Sequence, residues 1–177
     1  MFGEGRPDAD TLRRALGRTC ADTSDWGVAA LRRALAAISR HGPDVLRPEA
    51  ALTLDLLVRG LLGVHPDAAY GRVRLGSCFP ASWTSFRAEG LQMGDARLGV
   101  EMVREGPLTR LVLRQTAGGA PVTWIVEPRL TGEALSAARV DGRPAEIDVE
   151  RVGGRLRPRL QVPGERERVV ELEVSPP

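Results

Sequence analysis

Apolar residues follow two different periods along this chain, and the change falls near residue 63. Before it, the spacing is helical. Val28, Leu31, Leu35 and Ile38 form one stripe of a segment that opens at Ser24 or Asp25 and closes at His41-Gly42-Pro43. A second helix starts near Pro48, a favourable first-turn position for proline. It carries Leu52, Leu56, Leu57 and Leu61 and is apolar around much of its circumference. A shorter helix is predicted from Asp10 to Arg18, after a polar, Gly- and Pro-containing start over residues 1–9 that reads as disordered. Gly63 and Pro66 then stop the helical pattern, glycine by taking the left-handed conformation and proline by lacking an N–H.

After residue 63 the period becomes two. Arg110-Leu111-Val112-Leu113-Arg114 and Val169-Val170-Glu171-Leu172-Glu173-Val174 alternate cleanly. About eight or nine strands are predicted, separated by turn dipeptides such as Gly94-Asp95, Gly118-Gly119, Asp141-Gly142 and Gly153-Gly154. The predicted fold is therefore α+β. A helical hairpin, with about three helices over 10–63, precedes an antiparallel β-sandwich over 64–177. The apolar stripes of the hairpin need cover. We expect Leu31, Leu35, Ile38, Leu52, Leu56, Leu57 and Leu61 to pair with the same helices of a second chain, or with a helical partner subunit.

Composition narrows the function. The chain has 177 residues and a formal net charge of +2, which argues against a nucleic-acid binder. No apolar run is long enough to span a bilayer and the N-terminus lacks the form of a signal peptide, so a cytoplasmic location is expected. Every basic residue is Arg, which reads as codon bias of a GC-rich genome and leaves no Lys for Schiff-base chemistry. Cys20 and Cys78 have no CxxC spacing, and His41 and His65 stand far apart beside Gly or Pro. No metal or cofactor site is expected.

The residues from Leu61 to Met102 carry a resemblance. Gly60-Leu61-Leu62-Gly63, Pro66-Asp67-Ala68, Gly71-Arg72-Val73-Arg74-Leu75, Pro80 with Trp83, and Gly90-Leu91 with Gly94-Asp95-Ala96-Arg97 resemble one region of a known family. It is the C-terminal region of bacterial glycogen-debranching-type (amylo-α-1,6-glucosidase-like) proteins. The resemblance implies a place where the last helices of an (α/α)6 barrel meet a β-sandwich. It also implies that the family's catalytic acids sit on barrel loops for which this sequence has no counterpart.

Glycoside hydrolysis uses two carboxylates about 5–10 Å apart. Glu89, Asp95, Glu101, Glu105, Asp141, Asp148 and Glu150 read instead as strand-face or turn residues, and Asp67 as a turn cap, so no catalytic residue is assigned. Trp26 reads as a seal at a helix start and Trp124 as core. Trp83, in the loop Pro80-Ala81-Ser82-Trp83, is the one candidate for stacking on a sugar. Arg151, Arg155, Arg157 and Arg159 are expected to form a cross-strand charged face with Glu165, Glu167 and Glu171. The first reading is a non-catalytic accessory protein that dimerises through its helices. The alternatives are a subunit of an α-glucan hydrolase whose barrel is separate, and a weak carbohydrate-binding module.

Overall fold

The computed structural model describes residues 58–59, 62–77, 79 and 83–176. The chain divides into two compact units, residues 1–63 with 78–80, and residues 64–77 with 81–177. The second holds all the strands below.

The expectation of an α+β protein is overturned. Strands make up 63% of the described residues and none of these residues is α-helical. The helical turn at Ala68–Tyr70 is a single 3-10 turn. The described residues lie almost wholly past the change of period near residue 63, where alternation suits half-buried strands and no helix. Leu31, Leu35, Ile38, Leu52, Leu56, Leu57 and Leu61, assigned above to a dimerising hairpin, lie outside the described residues, as do Cys20, Trp26, His41 and Cys78. Gly63, the expected stop, does take the left-handed conformation at φ 60°.

Eleven strands are present among the described residues. They are β1 (Val64–Asp67), β2 (Arg72–Leu75), β3 (Ser85–Met93), β4 (Ala96–Glu105), β5 (Leu108–Ala117), β6 (Thr123–Val126), β7 (Leu135–Val140), β8 (Arg143–Pro144), β9 (Asp148–Val152), β10 (Arg155–Val162) and β11 (Glu167–Val174). They form two sheets, ordered β1-β2-β6-β10-β9 and β3-β4-β5-β11-β7-β8. Each sheet buries one face, as in a sandwich. On β10, Leu156, Pro158, Leu160 and Val162 are buried while the arginines between them are not. On β4 and β5 the apolar side chains buried almost completely are Leu98, Val100, Met102, Leu111 and Leu113.

The sandwich is not purely antiparallel, which corrects a second expectation. β2 pairs with β6 in parallel, with Val73 opposite Trp124. Parallel neighbours need a long crossover. Here the β3-β4-β5 meander of the other sheet is that crossover. β1 also departs from the sequence reading, because the helix-stop residues His65-Pro66-Asp67 form a strand. Pro66 is tolerated because β1 is an edge, where a missing N–H breaks no inner ladder. Asp67 ends β1 and makes no side-chain cap, contrary to its expected role.

The Asp141-Gly142 turn behaves as its dipeptide predicts. Both residues have positive φ, 50° and 76°, as a type I′ hairpin requires. The Asp141 carboxylate also accepts the Val169 N–H at 2.8 Å and an Arg168 guanidinium N–H at 3.0 Å, so the turn is tied to β11.

The outer face of the six-stranded sheet carries alternating charges. Arg87 stands opposite Glu101, Glu101 accepts from Arg114 at 2.9 Å, and Arg114 donates to Glu167 at 2.7 Å. The hydrogen bond from Arg114 holds the Glu101 carboxyl below its ordinary range, with the nearby charges of Arg114, Arg87 and Arg110 adding to it. A depressed folded-state value stabilises the fold above the unfolded pKa, and that stability is lost as pH falls through the folded value. Urea midpoints should therefore fall as pH is lowered below about 4. Glu101→Gln should flatten that dependence. An unchanged acid limb in the variant contradicts this account of the row.

Candidate functional site

Three side chains from the outer face of the five-stranded sheet meet at one carboxylate. Glu127 follows β6, and its N–H donates to the Leu75 carbonyl at 2.8 Å, extending the parallel ladder. Leu160 is opposite Val126, so one step along the same ladder Arg159 comes opposite Glu127. Arg157 lies two residues back on the same face of β10. Arg74 is on that face of β2, beside Ile125.

Glu127 is 3% exposed, and among the described residues it is the buried carboxylate. Arg157 Nη2 donates to Oε2 at 2.6 Å, Arg159 Nε approaches Oε1 at 3.2 Å, and Arg74 Nε stands 4.0 Å from Oε2. Burial of a carboxylate is tolerated because these charges compensate it. In return, the hydrogen bond that Arg157 donates to Glu127 raises the Arg157 pKa above the usual guanidinium value, with the Glu127 charge second. The arrangement holds guanidiniums in place. Glu127 is committed to them and has no second buried carboxylate beside it among the described residues.

Sequence reasoning named Arg157 and Arg159 of this cluster and missed Arg74 and the central Glu127. Arg157 pairs with Glu127 and, at 3.8 Å, with Glu150. The expected acidic partners are elsewhere: Glu165 binds Arg168, Glu167 binds Arg114 and Glu171 faces Arg110. Arg151 bonds to the carbonyls of Gly154 and Glu133. The signal that could have found Glu127 is the run Trp124-Ile125-Val126-Glu127, an acid that directly continues a buried strand.

Trp83 precedes β3 and is partly buried. Its ring stacks on Phe86, with centroids 6.4 Å apart and planes 18° from parallel. One aromatic face is thus braced by another. Trp124 is fully buried, and His65 is exposed on β1. The motif residues that carry the family resemblance serve as hairpins: Pro66 to Leu75 is the β1–β2 hairpin, and Gly90-Leu91 is the bulge at which β3 shifts register against β4. Gly90 sits there at φ 73°, a conformation that glycine takes without strain.

Among the described residues no group of three or more His, Cys, Asp or Glu is placed to hold a metal ion. None of their helices is long and apolar enough to cross a membrane.

No protein-family model matches the chain, and no curated protein matches it. A solved structure does. The chain is similar to part of an α-L-rhamnosidase from Dictyoglumus thermophilum, with a TM-score of 0.52 and 9% identity over 71% of this chain. The match covers 13% of that enzyme's chain, so the present chain spans a small part of its length. At this identity the likeness is one of fold, shared with one portion of that enzyme.

Proposed function

We propose that this chain is a β-sandwich accessory domain of the glycoside-hydrolase kind, without a catalytic centre of its own. The observation that carries the reading is the fold match, which takes in 71% of this chain but 13% of a much larger hydrolase. The motif resemblance to debranching-type proteins points the same way and suggests α-glucan enzymes as the relevant kin. The commitment of Glu127 to Arg157 and Arg159 also fits, because a carboxylate so engaged is poorly placed to share a proton with a substrate.

The test is an assay of the purified full chain on aryl α-glucosides, aryl α-rhamnosides and maltooligosaccharides. The expected result is no release above the heat-treated protein. Turnover that co-elutes with the folded chain overturns the proposal.

A second reading, weak sugar binding, rests on the braced Trp83–Phe86 pair. Flat aromatic faces suit the apolar faces of pyranose rings, and a stacked contact is worth about 0.5–1.5 kcal/mol. Titration with maltoheptaose followed by tryptophan fluorescence should show weak saturable binding. In Trp83→Ala, followed by calorimetry, it should weaken about tenfold, near 1.4 kcal/mol. A wild-type protein with no saturable signal at millimolar sugar removes this reading.

A further inference from the structure

We propose that Arg74 and Arg159, oriented by Glu127, form a binding site for the oxyanion of a small ligand, a carboxylate or a phosphate group. It lies on the outer face of the five-stranded sheet and does not depend on the glycoside-hydrolase reading.

The case begins with unequal commitment. Each guanidinium carries five N–H donors in a fixed plane. Glu127 engages Arg159 through Nε, at 3.2 Å, and Arg74 through Nε, at 4.0 Å. The Nη groups of these two residues have no acceptor among the described residues. Their side chains are 62% and 51% exposed, whereas Glu127 is 3% exposed. The carboxylate is buried beside the pair, in an ion pair with Arg159 at 3.2 Å and at a looser 4.0 Å from Arg74, while much of each guanidinium side chain is open to water. Arg157 plays a different part, because its Nη2 is bound to Glu127 and its Nη1 lies 3.8 Å from Glu150.

Pre-organisation is what separates this pair from ordinary surface arginines. A free arginine loses rotamer freedom when it grips an anion, at about 0.5–1.5 kcal/mol per immobilised side chain. Here the 3.2 Å ion pair with Glu127 restricts Arg159, and the same charge 4.0 Å from Arg74 biases that side chain toward the site. Guanidiniums bind carboxylate and phosphate in a planar, two-pronged way, so the ligand chemistry follows from the donors. Three acids oppose an anion at the site: Glu127 itself, Asp148 opposite Arg159 and Glu150 opposite Arg157 in the β9–β10 ladder. They should weaken an anion and leave a neutral sugar unaffected.

The experiment uses the full chain, with arginine Nε–H resonances followed by NMR at constant ionic strength set with chloride. Inorganic phosphate, glucose 6-phosphate, glucuronate and neutral glucose are added separately. Saturable shifts at Arg74 and Arg159 with the three anions, and none with glucose, are expected. A response to phosphate and glucose 6-phosphate alone selects a phosphate ligand, and one to glucuronate alone a carboxylate. Arg159→Gln and Arg74→Gln should each weaken binding about tenfold or more while the far-UV circular dichroism is unchanged. Asp148→Asn should tighten it severalfold. Shifts that track chloride equally, or binding that survives Arg159→Gln, overturn the proposal.

Discussion

Trp124→Ala is expected to destabilise the sandwich by about 3–5 kcal/mol, the range for removing a large aromatic from a packed core. Trp124 is fully buried on β6, the central strand of the five-stranded sheet. It stands opposite Val73 on one side and Val162 on the other, both also fully buried. The surrounding strands are hydrogen-bonded on both sides and cannot close over the cavity. Domains of this size have only about 5–15 kcal/mol in total, so the variant should be near unfolding at 37 °C. Trp124→Phe separates two effects. The indole Nε1 is buried with no hydrogen-bond partner among the described residues. An unsatisfied buried donor costs about 1–3 kcal/mol. Phenylalanine removes that cost while losing some volume, so the net change should be under about 1.5 kcal/mol. Urea denaturation of both variants checks the pair. A Phe variant as unstable as the Ala variant would show that the indole N–H is satisfied after all.

The second large effect is an asymmetry around Glu127. Removing an acid from a buried ion pair and removing its bases are not equivalent. In Glu127→Ala the arginines left behind are 39–62% exposed and can turn to water. The loss should be about 1–2 kcal/mol, mostly from hydrogen bonds. In the double variant Arg157→Ala/Arg159→Ala the carboxylate loses its two close cations and keeps Arg74 at 4.0 Å. Breaking a buried pair from this side costs up to about 3–5 kcal/mol, an upper bound because truncating the arginines lets water reach the carboxylate. The double variant should therefore have the lower urea midpoint, and adding Glu127→Ala to it should recover part of the loss. If Glu127→Ala proves the more damaging change, the carboxylate contributes to packing in a way its ion pairs do not explain.

The strands were legible because they are read locally. The Asp141-Gly142 turn, the Gly153-Gly154 turn and the alternation on β11 each follow from a few neighbouring residues, and the structure places them where the pattern predicts. β1 was not legible. Gly63 and Pro66 punctuate a helix and an edge strand equally well, and only pairing with Arg72–Leu75 decides which. The α+β expectation failed for a related reason: an apolar stripe at helical spacing reports a preference, and the described part of the chain is built from residues that lack it.

The candidate site shows the same division more sharply. Arg157 and Arg159 are recognisable from sequence as an exposed basic run on one face of a strand. Their partner is not, because Glu127 is separated from them by the turns and strands from β7 to β9. What the sequence alone determined is the local chemistry: the strands from β2 onward apart from the two-residue β8, the hairpin turns and the positions that face the core. Periodicity and turn dipeptides act over a few residues, so they need no knowledge of the rest of the chain. Only the tertiary structure decided that β2 runs parallel to β6 and that β10 lies beside it. Those long-range pairings bury Glu127 among Arg74, Arg157 and Arg159. No local pattern encodes them, because sheet register is settled by which distant strands can cover each other's apolar faces.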